Sequence, residues 1–358
     1  MKNFYNKIIT ILSVCYLLSF ASCHDAPEYR NDLYGNFDAL VDIVDTRYCF
    51  LEEKGIDWKA TAAKYRELIT PETDYIQLFF ICAALLDELQ DGHVNLSSKF
   101  DTSYYRKWWT DYPQDFDLRT LQEYYLEFDW LSTSGIYYKQ LPGEIAYMYY
   151  PSFSNLIGET ALDYILAILH NSRGLIIDIR NNGGGALTNI DVLIGRFINE
   201  KITGGYILHK TGPGHSDFSQ PYPMEYKPAQ AGRIKWDGPI VVLTNRSCFS
   251  AANNFVSVVK ELPQVTVVGA KTGGGGGMPF SSELPIGWSI RFSACPIMNS
   301  RMQVIENGID PSPGCEVHSL AGELTQGKDA ILDFAIDLLK DKPLPDGEDS
   351  DGEEKDLF

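Results

Sequence analysis

Residues 174–185 read Gly-Leu-Ile-Ile-Asp-Ile-Arg-Asn-Asn-Gly-Gly-Gly. The apolar run is short enough for a strand buried on both faces. The glycines at its end let the chain turn sharply and expose its amides. Apolar residues over 186–198 then predict a helix. The same layout returns at residues 238–250, Gly-Pro-Ile-Val-Val-Leu-Thr-Asn-Arg-Ser-Cys-Phe-Ser, ahead of an apolar helix over 250–262. Outward from these two segments, residues 145–150 and 265–269 read as strands and 160–170 as a helix. Residues 288–292 and 303–306 read as later strands, a hairpin over the sheet, and 328–339 as a last helix. Short strands alternating with helices imply an α/β fold, a mostly parallel sheet covered on both faces.

Upstream of this core, residues 34–66 and 73–90 carry helical apolar spacing, parted by Pro71 and Thr73. Residues 101–130 are dense in aromatic rings, among them Tyr104, Tyr105, Trp108, Trp109 and Tyr112, and follow no clear period. They read either as domain-packing core or as part of a substrate groove, because rigid rings supply contact area at low entropic cost.

The chain has 358 residues, 44% hydrophobic and 22% charged, which is a globular composition and excludes a collagen or coiled-coil architecture. Its formal charge of −18 argues against a nucleic-acid partner, since phosphates would be repelled. Lys2 and Lys7 precede an apolar run, Ile8 to Phe20, too short to span a bilayer and suited to a secretory signal. Its end, Phe20-Ala21-Ser22-Cys23, resembles a bacterial lipobox, in which the cysteine is lipidated and becomes the new N-terminus. The expected location is therefore a bacterial cell envelope, periplasmic or cell-surface, with a lipid anchor in the membrane. Of seven cysteines, Cys49, Cys82, Cys248, Cys295 and Cys315 remain beyond Cys23, with no CxxC pair. A zinc cluster is disfavoured, and no cofactor or metal is expected. One or two disulfides would suit an oxidising compartment.

Two features carry chemistry. The amides of the glycine turn at 183–185 can hold an anion, as strand-to-helix turns do, or merely serve a tight turn. No Gly-Lys-Ser/Thr follows, which disfavours phosphate. Ser250 opens a helix, where it is either an N-cap or a nucleophile with the Ala251 amide beside it. The GxSxG elbow of α/β-hydrolases is absent.

Together these segments resemble the tail-specific (C-terminal processing) protease family, which includes the tricorn core. The matching stretches are Asp178-Ile-Arg180-Asn-Asn182-Gly-Gly184, Ser247-Cys-Phe-Ser250-Ala251-Ala252, Val267-Val-Gly269-Ala-Lys-Thr272-Gly-Gly274 and Gly308-Ile-Asp-Pro311, with Asp91-Gly92-His93 upstream. The resemblance implies a crotonase-like core with an N-terminal helical subdomain. It implies Ser250 as nucleophile, and Gly184 (with Gly183) and Ala251 as oxyanion donors. The lysine base of the bacterial tail-specific proteases would fall at position 275, which is Gly275, and Lys271 does not fit the register set by Thr272. The tricorn-like branch instead implies His93 as base and Glu306 as the carboxylate that orients it. A neutral imidazole suits that task near pH 7, and a carboxylate behind the ring fixes its tautomer. Asn253 stands where the bacterial proteases commonly place glutamate, and the 51 residues between His93 and Ile145 leave no room for a PDZ insertion.

On this reading the chain divides into a signal segment at 1–22, an N-terminal helical subdomain at 23–100 and an aromatic-rich excursion at 101–140. A protease core at 141–340 and an acidic, disordered tail at 341–358 complete it. The expected function is a secreted, lipid-anchored serine endopeptidase that takes peptide or unfolded protein. The alternatives are a non-catalytic relative binding peptides or apolar ligands in the same cleft, or an esterase or amidase.

Overall fold

The computed structural model describes residues 28–345. The signal segment, the lipobox and the tail from 346 onward lie outside the described residues.

Three helices lead the chain: α1 (Leu33–Arg47), α2 (Trp58–Arg66) and α3 (Tyr75–Asp87). Each begins at an aspartate whose carboxylate accepts an amide hydrogen of the first turn. Asp32 takes that of Gly35, Asp57 that of Ala60 and Asp74 that of Gln77. Gln77 returns the bond to Asp74, completing a capping box. The helical pattern over 34–66 is thus two helices rather than one. Its break is made by the Cys49 amide, which leaves the helix to reach the Ser293 carbonyl, and by Gly55 at φ 63°.

The central sheet has the order β2-β3-β4-β5-β8-β9. Its strands are β2 (Leu131–Thr133), β3 (Ile136–Leu141), β4 (Ile145–Tyr149), β5 (Leu175–Asp178), β8 (Ile240–Thr244) and β9 (Val265–Gly269). The pairs β4–β5, β5–β8 and β8–β9 are parallel, while β2–β3 and β3–β4 are antiparallel. Strands β4, β5 and β8 are buried along their whole length. Alternation sorts their side chains: Leu175, Ile177 and Val242 face a core that includes Leu166, Ile194 and Phe255. Ile176, Val241 and Leu243 face the last helix through Ile331, Leu332 and Ala335. The helices on the first face are α4 (Glu159–Leu169), α5 (Thr188–Ile194) and α6 (Ala251–Val259), and α7 (Ala330–Leu339) covers the second.

A second, five-stranded antiparallel sheet joins β1 (Asn95–Ser97), β6 (Ile202–Ile207), β7 (Tyr222–Tyr226), β10 (Gly277–Glu283) and β11 (Ser289–Asn299). The hairpin expected from residues 288–306 differs here. Its partner for β11 is β10, which follows the glycine run, and residues 303–306 give only a bridge from Val304 to Met298. The leading helices pack on this second sheet, sharing a core with Trp288, Ile290 and Phe292. The stretch 101–140 also divides. Residues 131–141 are the antiparallel edge of the central sheet, so only the part before them lies outside it.

The motif Asp178-Ile-Arg180 is structural. Arg180, fully buried, donates from Nη2 to Asp178 at 2.6 Å and from Nη1 to the Asp329 carboxylate at 2.8 Å. Asp329 is also the cap of α7, accepting from the Leu332 amide. This ties the glycine turn to the helix on the far face of the sheet. Breaking a buried pair strands a charge and costs about 3–5 kcal/mol. Asp329→Ala is expected to lower stability by about that amount, read from the midpoint of urea unfolding.

Candidate active site

Strand β8 ends at Thr244, and α6 begins at Ala251 after six intervening residues. The turn between them is held by the neighbouring glycine segments. The Phe249 amide donates to the Asn182 carbonyl at 3.0 Å, and the Ser250 amide donates to the Gly274 carbonyl at 2.9 Å. The result is Ser250 at φ 58°, ψ −119°, a conformation that a residue with a β-carbon adopts at a cost of about 1–3 kcal/mol. Its side chain makes no capping bond to the helix. The N-cap role thus gives way to another.

The Ser250 Oγ lies 3.0 Å from His93 Nε2. His93 sits on a turn after α3, fixed by its own amide donating to Asp91 Oδ1 at 2.7 Å. The ring is buried, with the Phe249 ring 4.7 Å away, and Trp108 stacks on Phe249 at 4.3 Å. Burial holds the imidazole pKa down at about 4. Asp91 pulls the other way, and Arg291 and Lys54 push it further down. The ring is therefore neutral at pH 7, able to accept the Ser250 proton at Nε2 when Nδ1 carries the hydrogen.

Glu306, expected behind the ring, is placed differently. Its Oε1 accepts from Lys54 Nζ at 2.9 Å and its Oε2 from the Gly276 amide at 2.8 Å. No hydrogen bond joins it to His93, whose Nδ1 is buried without a partner among the described residues. Burial and the nearby Asp91 push the Glu306 carboxyl up to about 8, against the pull of Lys54. Asp91 Oδ2 in turn accepts from Tyr48 at 3.1 Å and Ser293 at 2.8 Å. Behind the ring lies a buried cluster of two carboxylates and one ammonium rather than a single orienting carboxylate.

The glycine turn lies against the serine. A β-carbon on Gly184 would meet Ser250 Cβ at 2.8 Å and the Ala251 nitrogen at 2.9 Å. The Gly184 amide itself donates to Asn182 Oδ1 at 2.9 Å, so it is spent within the turn. The amides of Gly183 and Ala251 make no hydrogen bond among the described residues, and Ala251 is the first residue of α6, where helices leave donors unpaired. Both residues line a 430 Å³ cleft together with Ser250, His93, Met278 and Arg291. A larger cleft, 750 Å³, opens beyond Phe249 and is lined by Tyr105, Trp108 and Tyr112 with Lys54 and Glu306. The aromatic stretch therefore walls the neighbouring cleft, and Arg246 fastens it by donating to the Trp108 carbonyl and stacking on Tyr112.

Ser250, His93, Ala251 and Gly184 come together; Glu306 joins only through the charge cluster. Sequence reasoning did not single out Lys54 or Arg291, and it quoted Asp91 and Asn182 within motifs without giving either a role in the site. Lys54 stands in Glu52-Glu53-Lys54-Gly55, which reads as a solvated charge run and offers no signal. The cysteines Cys49, Cys82, Cys248, Cys295 and Cys315 are all free thiols. The other histidines lie elsewhere, His215 on Asp45 and His318 on Asp115. Among the described residues no group of His, Cys, Asp and Glu is arranged to hold a metal ion.

A strained serine, a neutral imidazole in contact with it and free amides beside it define a serine-hydrolase type of site. The chain belongs to peptidase family S41, whose profile matches residues 144–312, and residues 29–79 match the tricorn protease C1 domain. A crystal structure of a candidate peptidase from Parabacteroides merdae ATCC 43184 is 44% identical, with a TM-score of 0.82, covering 87% of this chain and 97% of that one. Mature CPAF complexed with lactacystin shares the fold at 13% identity, with a TM-score of 0.65 and coverage of 86% and 97%. The tricorn protease shares it at 16% identity and a TM-score of 0.53, covering 86% of this chain and 36% of that one. A curated protein of Chlamydia trachomatis serovar D aligns at 30% identity over 98 residues, 27% of this chain, and that stretch spans only 16% of the Chlamydia protein.

Gly184→Ala is expected to displace Ser250, since the turn also sits at φ 97°. A displacement near 1 Å costs about 10²-fold in reactivity. The measurement is the labelling rate of Ser250 by a fluorophosphonate.

Proposed function

We propose that the protein is a serine endopeptidase acting through Ser250 and His93. The observation that carries this reading is the 3.0 Å contact between His93 Nε2 and the hydroxyl of a serine held in a strained conformation. In this reaction Oγ attacks the peptide carbonyl carbon as its proton passes to Nε2. The carbonyl oxygen becomes an oxyanion received by the amides of Ala251 and Gly183. The imidazolium gives the proton to the departing amine as the C–N bond breaks, leaving an acyl-enzyme on Oγ. Water then repeats the sequence, with His93 taking its proton and Ser250 leaving. Asp91 supplies negative charge near the imidazolium, while Lys54 pairs with Glu306 beside it. The substrates are peptides or unfolded proteins that can lie as an extended chain in the cleft.

A fluorophosphonate probe with a peptide-hydrolysis assay tests the site. Ser250→Ala is expected to abolish labelling and to lower kcat by about 10³-fold or more. Full hydrolysis by that variant would sink the reading. Tight peptide binding by wild-type protein that does not label would favour a non-catalytic binder, and turnover of esters alone an esterase. Because His93 is held at about 4, the acid limb of kcat/KM should fall near pH 4, well below that of an ordinary imidazole.

We infer also that the protein is secreted and anchored by a lipid on Cys23 in a bacterial envelope. The support is the sequence Phe20-Ala21-Ser22-Cys23 behind a short apolar run. No helix among the described residues is long and apolar enough to cross a membrane. Growth with labelled palmitate should mark the wild-type protein and not Cys23→Ser; equal labelling of both would overturn the anchor.

A further inference from the structure

Lys54 lies on the turn between α1 and α2, where its own amide donates to the Phe50 carbonyl and Gly55 takes φ 63°. Its side chain is 14% exposed and runs inward between the rings of Tyr48 and Phe50, about 6 Å from each. The three hydrogens of its ammonium find three acceptors. They are Glu306 Oε1 at 2.9 Å and the carbonyls of Leu89 and Gln90 at 3.1 and 3.3 Å. Those carbonyls lie just after α3, immediately ahead of the turn that presents His93. Glu306 belongs to the loop packed against Gly274 and Gly276, and Gly274 holds the Ser250 amide. One ammonium thus joins the segment that carries the base to the segment that seats the nucleophile.

Resting on the reading of Ser250 and His93 above, we propose that Lys54 is a positioning residue: its ammonium holds the Glu306 loop against the His93 turn and so keeps His93 at hydrogen-bonding distance from Ser250. It touches neither substrate nor the reacting atoms. The groups facing His93 fit this account. Asp91 lies on its own turn, Arg291 on β11 and Lys54 on the α1–α2 turn, and only Asp91 among them favours the charged ring. The helical N-terminal unit therefore takes part in catalysis by supplying a charge as well as the base.

The test compares Lys54→Met, Lys54→Arg, Glu306→Gln and the double variant Lys54→Met/Glu306→Gln. Lys54→Met should lower kcat by about 10²-fold with KM nearly unchanged, as a misplaced catalytic pair does. Lys54→Arg, which keeps the charge, should recover most of it. If Lys54 acts through Glu306, the double variant should be no slower than Glu306→Gln alone. That double variant removes the Glu306 carboxyl together with its ammonium partner, so it keeps the comparison open even where Lys54→Met folds poorly. Multiplying effects, or an unchanged kcat in Lys54→Met, would overturn the proposal. A second readout needs no turnover. In Ser250→Ala protein the His93 ring, followed by NMR, should titrate near pH 4, and adding Lys54→Met should move that midpoint up by about one pH unit. An unmoved midpoint would overturn the role of Lys54 whether or not the wild-type protein labels. Failure of the wild-type protein to label would instead overturn the peptidase reading.

Discussion

The backbone of Ser250 is held in a conformation normally left to glycine, and the arrangement of the site follows from that constraint. In an ordinary helix start the serine hydroxyl would turn back and accept an amide hydrogen of the first turn. Here φ is 58°, and the hydroxyl points away from α6 toward His93. The strain is offset by bonds that lock the turn on both sides, from Phe249 to Asn182 and from Ser250 to Gly274. Glycine is required at 184 for the same reason, because any β-carbon there would press on the serine. What the turn gives up in local energy it returns as a free hydroxyl and free amides in one small cleft.

The imidazole reaches this hydroxyl from another part of the molecule. It hangs on a turn whose preceding helix packs on the second sheet, whereas Ser250 belongs to the central sheet. Two cores must therefore be in register to within a hydrogen bond. The buried charges at their junction help to achieve this. Tyr48 and Ser293 hold Asp91, and Lys54 and Gly276 hold Glu306. Buried ion pairs add little net stability compared with apolar packing. Their effect here lies in geometry and field: they fix two segments relative to each other and leave negative charge where a transient imidazolium forms. The same burial keeps the resting ring neutral, which is the state a base must start from.

Much of this was legible in the residues. The runs at 174–178 and 240–244 are strands because they are short, apolar and closed by turn residues, and parallel strands covered on both faces look like that. The turn glycines and Ser250 stood out for the same reason: they interrupt an otherwise regular alternation. The edge strands at 131–141 were hidden, because aromatic density outweighed a weak alternation. Strand β10 was hidden behind Gly273–Gly277, because a run of glycines carries no strand pattern, although it lets Gly276 and Gly277 pack closely on Ile305 and Ser293. Lys54 gave no sign at all, since a lysine beside two glutamates looks solvated.

The sequence by itself determined the α/β alternation, the two glycine- and serine-marked turns and the residues able to act as nucleophile and base. These are local matters, set by periodicity, backbone freedom and side-chain chemistry within a few positions. Only the tertiary structure decided which partners those residues take. It set Glu306 against Lys54, 252 positions away, instead of against His93, and it brought His93 to Ser250, 157 positions away. Such choices depend on the packing of distant segments, where an oxygen accepts from whichever donor the closed core brings within 3 Å.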